Sequence, residues 1–156
     1  MIIMPKFGYS TKVDDKVSAK ALGREVRVSP RHTGEVCRAI KGMNVEKAKN
    51  YLEEVISKKR PVPYIRYNKK VPHRKGLQGH DAGRYPVKAA KVVLEVLKNA
   101  EANANYKGMD IGKLKIYHAS AQRGLVIPGF IPRAFGRASP SNTPTTNIEI
   151  VVKEAA

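Results

Sequence analysis

The stretch Leu114-Lys115-Ile116-Tyr117-His118-Ala119-Ser120-Ala121, read with Asn147-Ile148-Glu149-Ile150-Val151-Val152, decides the fold. The first segment alternates in character, and the second is its natural antiparallel partner. The 25 residues between them hold Gly124, Pro128, Gly129, Pro132, Gly136, Pro140 and Pro144. No acid occurs from Ile111 to Ile148, whereas Arg123, Arg133 and Arg137 do. If the strands run on as a hairpin, each arm has about ten residues, or ~30 Å at ~3.3 Å per residue. A domain of this size has a radius of gyration of only ~15 Å. The spacing therefore predicts an arm, 119–146, that stands clear of any core and needs an external partner to be ordered.

Upstream the period changes to that of helices. Ser29-Pro30 opens one as N-cap and first helical residue. It runs to about Lys41, with Val36, Ala39 and Ile40 inward, and Gly42 stops it. Asn44 caps a second, to about Lys59, whose stripe is Val45, Ala48, Leu52, Val55 and Ile56. Pro86 begins the third and strongest, with Ala90, Val93, Leu94, Leu97, Ala100 and Ala104 on one face and Lys88, Lys91, Glu95 and Lys98 on the other. Gly23 to Ser29 reads as a brief strand, and residues 1–22 as an irregular arm.

Residues 58–85 break every period. Nine bases (Lys58, Lys59, Arg60, Arg66, Lys69, Lys70, Arg74, Lys75 and Arg84) face one acid, Asp81, with Tyr64, Tyr67, Tyr85, His73 and several glycines among them. A structureless loop this long in a small domain is functional or disordered. Bases for phosphate, rings for stacking and glycine for close approach are the parts of an RNA contact.

The composition agrees. Of 156 residues, 30 are Lys or Arg and 13 are Asp or Glu, a formal charge of +17. Val, Ile, Leu and Phe number 37, above the roughly one-fifth share below which a highly charged chain stays disordered. A core is therefore affordable, and the charge calls for an anionic partner. Cys37 is the only cysteine, which excludes an intrachain disulfide and a cysteine-rich zinc site and fits a reducing compartment. His32, His73, His80 and His118 have no metal-ligand spacing, so no metal and no cofactor are expected. Neither a Gly-x-Ser-x-Gly elbow nor a phosphate-binding loop of the Gly-x-x-x-x-Gly-Lys type is present, and Glu53 and Glu54 point to different helix faces. Hydrolytic and nucleotide-dependent enzymes are thereby disfavoured, a small nuclease included. No apolar run reaches membrane-spanning length, and the opening Met1-Ile2-Ile3-Met4-Pro5 is too short for a signal peptide, so a cytoplasmic protein is expected.

Three elements carry a resemblance to a known family. They are Ser29-Pro30-Arg31-His32, the helix ending Leu97-Lys98-Asn99-Ala100-Glu101-Ala102-Asn103-Ala104, and Pro132-Arg133-Ala134-Phe135-Gly136-Arg137-Ala138 before the strand 147–152. Over about residues 15–153 the chain resembles the universal large-subunit ribosomal protein twenty-two family in its archaeal and eukaryotic style. The span Val62-Pro63-Tyr64 through Gly83-Arg84-Tyr85-Pro86 is similar to the insertion that sets those members apart from bacterial ones. The resemblance implies an α+β domain, three helices packed on a small antiparallel sheet, with a long protruding β-hairpin. It also implies a non-enzymatic role in translation: the domain near the tunnel exit, the hairpin running through rRNA, and its tip lining the nascent-peptide tunnel. Bacterial members commonly carry bases just before the Pro-Arg-Ala element, where this chain has the apolar run Val126 to Ile131.

These readings assign residues 1–22 to an N-terminal arm, 23–118 plus 147–153 to a globular rRNA-binding domain with the basic insertion 58–85, and 119–146 to the hairpin. The expected rRNA contacts are Arg31, His32, Lys41, Lys59, Arg60, Arg66, Lys69, Lys70, His73, Arg74, Lys75, Arg84, Arg123, Arg133 and Arg137. Ile127, Pro128, Gly129, Phe130 and Ile131 are expected at the tunnel tip. Expected partners are large-subunit rRNA, neighbouring ribosomal proteins near the tunnel exit and the nascent peptide. A free-standing RNA-binding module or RNA chaperone is the alternative that shares the charge.

Overall fold

A computed structural model describes residues 8–15 and 17–154. The chain order is β1 (Ser18–Val26), α1 (Pro30–Ile40), α2 (Val45–Ile56), β2 (Val62–Pro63), β3 (Gly83–Arg84), α3 (Val87–Tyr106), a 3-10 turn (Ile111–Lys113), β4 (Leu114–Ile127), β5 (Phe130–Pro132), β6 (Ala138–Pro140) and β7 (Thr143–Glu154). The architecture is α+β, three helices against an antiparallel sheet of order β1-β7-β4.

β7 is the central strand and is buried on both faces from Ile148 to Val152. Ile148, Ile150 and Val152 join Ala19, Ala21, Leu114, Ile116 and Ala119 in the core beneath the helices. The helix stripes read from the sequence fall in that core, with Leu52, Val93 and Leu97 fully buried and Ala39 and Ile56 partly buried against it. Burying each such side chain stabilises the fold by about 1.5–3 kcal/mol. Cys37 packs there too, and burial pushes its thiol up to about 12, as befits a packing residue and not a nucleophile. Gly23 lets α3 lie directly on β1, for a Cβ there would sit 2.9 Å from Val96 Cγ2. The α1–α2 connection closes the β4 edge: the Gly42 amide donates to the Ile116 carbonyl and the Ile116 amide to Met43, each at 2.9 Å.

The sheet's opposite face is polar and is closed by the N-terminal arm. Glu149, almost wholly buried, accepts from the Ser10 amide at 3.0 Å, the Ser10 hydroxyl at 2.6 Å and Gln122 Nε2 at 3.1 Å. His118 Nε2 stands 3.9 Å from the same carboxylate.

Four expectations are corrected. The first strand is Ser18–Val26 and not 23–29, so residues 18–22 leave the irregular arm and pair with β7, Ser18 opposite Lys153 through Gly23 opposite Ile148. Its small residues carry weak strand propensity, and pairing with a buried β7 overrides that. A bulge follows Gly23, with Glu25 at φ 50°, which ends the strand before Arg27. The helix α2 stops at Ile56, three residues short of Lys59. The segment 58–85 is not structureless, because β2 and β3 pair across it. The fourth correction is the tip. β4 and β7 pair out to Ile127 opposite Thr143, and β5 and β6 continue the hairpin from Phe130 opposite Pro140 to Pro132 opposite Ala138. The chain reverses at Ala134-Phe135-Gly136, so Ile127, Pro128, Gly129, Phe130 and Ile131 lie along one arm and not at the tip. The apolar run fits the side of a ribbon, while Phe135 and Gly136, at φ 58° and 66°, adopt the left-handed backbone of the reversal.

Candidate nucleic-acid interface

The basic segment is anchored to α1 by an acid of that helix. Glu35 is only 2% exposed and its carboxylate accepts from the backbone amides of Ile65, Arg66 and Tyr67 at 3.3, 2.9 and 2.9 Å. A carboxylate held by several amides is a strong anchor. Tyr64 adds a second. It is buried, and its hydroxyl shares a 2.6 Å hydrogen bond with His32 Nδ1. Burial raises the Tyr64 hydroxyl to about 12. Tyr64 is therefore scaffold and not a stacking ring, a correction to its grouping with Tyr67 and Tyr85. The sequence signal for Glu35 was faint: an acid on the same helical face as buried neighbours, in a stretch that otherwise lacks acids.

These anchors bring residues from two elements together. Arg31 and His32 at the start of α1 meet Arg66, Tyr67, Lys69 and Arg84 around an open groove of 520 Å³ whose lining holds no acid. The Arg31 and Arg66 guanidiniums each lie 5.7 Å from the Tyr67 ring centroid. Arg84 donates to the Lys70 carbonyl at 3.1 Å, which ties Lys70 to the groove's rim. Burial first, then the charges of Arg84 and Arg31, hold His32 below its ordinary value of 6.5. His32 is thus a neutral imidazole in a cationic groove at pH 7. Tyr67, read from the sequence as a stacking ring, lines the groove, as do Asn68 and Val71, which the sequence reading did not single out.

The remaining residues are spread over the surface. Arg60 lies 5.0 Å over the Tyr51 ring and 3.5 Å from Glu54, beside Lys47 and Lys115, which the sequence reading did not single out. Lys41 and Lys59 are exposed at the ends of α1 and α2 and join neither group. His73 bridges to Ala82, Arg74 stacks 5.5 Å over Tyr85, and Lys75 is exposed in the turn beyond. Arg123 is exposed on β4. Arg133 and Arg137 do not lie on a single extended arm. They flank the reversal, the Arg133 amide donating to the Arg137 carbonyl at 2.7 Å. Arg133 Nε also reaches the Ser139 hydroxyl at 3.3 Å. Phe135 between them is 94% exposed, and Phe130 is 74% exposed.

No residue from Gln122 to Pro144 is buried. That ribbon presents arginines and apolar rings without a carboxylate. Among the described residues no cluster of His, Cys, Asp or Glu could hold a metal ion, and no helix is long and apolar enough to cross a membrane.

Known proteins match this chain along almost all of its length. The family described as "Ribosomal protein L22p/L17e" matches residues 21–153. A protein of Methanosphaera stadtmanae named "Large ribosomal subunit protein uL22" is 55% identical over 149 residues, covering 96% of each chain. Its namesake from Methanopyrus kandleri is 54% identical over 92% of this chain and 91% of its own. That from Methanocaldococcus jannaschii is 46% identical over 99% of both. Helix caps, insertion and hairpin all fall inside the matched span, and the chain belongs to the ribosomal protein L22p/L17e family.

Proposed function

We propose that the chain is a cytoplasmic structural constituent of the large ribosomal subunit that binds large-subunit rRNA across several of its domains and aids assembly. Its hairpin lines the nascent-peptide exit tunnel, and neighbouring ribosomal proteins near the exit abut the domain. Membership of a ribosomal-protein family makes it a structural protein and not an enzyme. The names of its archaeal relatives support the subunit.

The observation that carries the finer reading is the ribbon 122–144. It is paired antiparallel along most of its length, with no buried residue and no acid. A two-stranded ribbon is marginal alone in water, so its binding partner lies outside the chain. In this reading residues 23–118 with 147–153 sit on rRNA through the cations of α1 and the insertion. Arg123, Arg133 and Arg137 neutralise phosphates along the hairpin, and Phe130, Ile131 and Phe135 meet bases or the tunnel space.

Sedimentation of a tagged chain tests the reading. It should run wholly with large subunits and resist a salt wash. A chain spread through the free fractions would instead be a free-standing RNA-binding module or chaperone.

A further inference from the structure

The groove between α1 and the insertion has more built into it than phosphate neutralisation needs. Resting on the ribosomal reading above, we propose that it binds a single unstacked rRNA nucleotide, its phosphate among Arg66, Lys69 and Arg84 and its base against Tyr67.

Four observations converge. The lining brings Arg31, Arg66, Lys69 and Arg84 together without an acid, so an anion relieves their mutual repulsion. The walls are preorganised: Glu35 holds the backbone of residues 65–67, and the Tyr64–His32 hydrogen bond holds the floor. Of the two tyrosines, Tyr64 is 3% exposed and Tyr67 is 39% exposed, so only Tyr67 has a ring face to offer. Its two guanidinium neighbours stand near the outer limit of a cation–π contact, about 6 Å, so one can turn to a phosphate and yield the face to a base. Finally, the volume of 520 Å³ lies within the roughly 300–1,000 Å³ of small-ligand sites. A duplex keeps its base faces stacked and offers none to an aromatic ring, whereas splayed single-stranded bases stack on tyrosine and arginine. Neutral His32 adds an imidazole suited to a base or ribose edge beside the cations.

The test titrates the full chain, labelled for amide detection, with adenosine 5′-monophosphate and with ribose 5-phosphate. The nucleotide should move the amides of residues 66–69 and bind about tenfold more tightly than the sugar phosphate. Tyr67→Ala should abolish that advantage without moving distant amides, and Tyr67→Phe should keep it. Equal binding of the two probes to the unaltered chain would reduce the groove to a phosphate site and overturn the proposal, as would shifts confined to other surfaces. Ultraviolet cross-linking of intact large subunits separates this failure from failure of the ribosomal reading. An adduct within residues 64–69 is expected. Adducts elsewhere on the chain alone would overturn the groove assignment and leave the ribosomal reading standing. A chain missing from the subunits would overturn both.

Discussion

Glu35 is the acid on which the basic segment hangs, and its loss should be felt there first. Glu35→Ala leaves three amides without their acceptor, at a cost on the order of 1–3 kcal/mol. Denaturant melts should show that loss, with faster amide exchange at residues 65–67 than at the α3 core. Glu35→Gln keeps an acceptor and should lose less. His32 gives a pH dependence of defined sign. Its folded value lies below 6.5, so on acidification the unfolded chain takes the proton first. Stability should therefore fall as pH drops below about 6.5, and His32→Asn should shrink the difference in melting temperature between about pH 7.5 and 5.5. An undiminished difference would show that other groups carry the acid sensitivity.

At the scale of elements, α1 and α3 hold the sheet, α2 packs on α3, and the hairpin depends on what lies beyond the chain. Asn44 caps α2 by accepting from the Glu46 amide at 2.9 Å and ties it to the 3-10 turn by donating to the Gly112 carbonyl at 2.9 Å. Asn44→Ala should cost about 1–2 kcal/mol in thermal or denaturant unfolding. Leu97→Ala, in the fully buried centre of α3, should cost about 2–5 kcal/mol. The hairpin should behave oppositely. In the isolated protein, amide protection should be high at Ile148–Val152 and decline outward past the bulge between Arg123 and Val126. Strong protection of residues 130–140 off the ribosome would contradict the dependence on an external partner.

For the whole molecule the net charge of +17 dominates association. Each phosphate neutralised on RNA contributes about 0.7–0.9 to the slope of log affinity against log salt. Replacing Lys69, Lys70, Arg74 and Lys75 together by alanine should lower that slope by roughly 3 for binding to an rRNA fragment. Arg133 and Arg137, on either side of the reversal, should depend on guanidinium shape and not on charge alone. Cells carrying Arg133→Lys with Arg137→Lys should yield fewer large subunits at low temperature. Normal yield together with an unchanged salt slope would overturn both sets of contacts.

Much of this was legible in the residues themselves. Period, caps and breakers located the three helices within a few residues, since Ser29-Pro30, Asn44 and Pro86 act locally and the apolar stripes need only their own spacing. The pairing of 114–121 with 147–152, and the absence of acid between them, announced a hairpin that leaves the core. Where pairing partners lie far apart in sequence, local reading failed. Ala19 and Ala21 show little strand character until β7 is beside them. Tyr64 looked like a stacking ring until the fold buried it against His32. The point of chain reversal depended on a left-handed pair at Phe135 and Gly136, which the prolines and glycines on either side obscured. Tertiary structure alone set the groove, because Arg31 and Arg84 are far apart in the chain. The buried carboxylate of Glu35, drawing three amides of the insertion onto α1, the Tyr64–His32 hydrogen bond and the pairing of Arg84 with Val62 bring them to one surface.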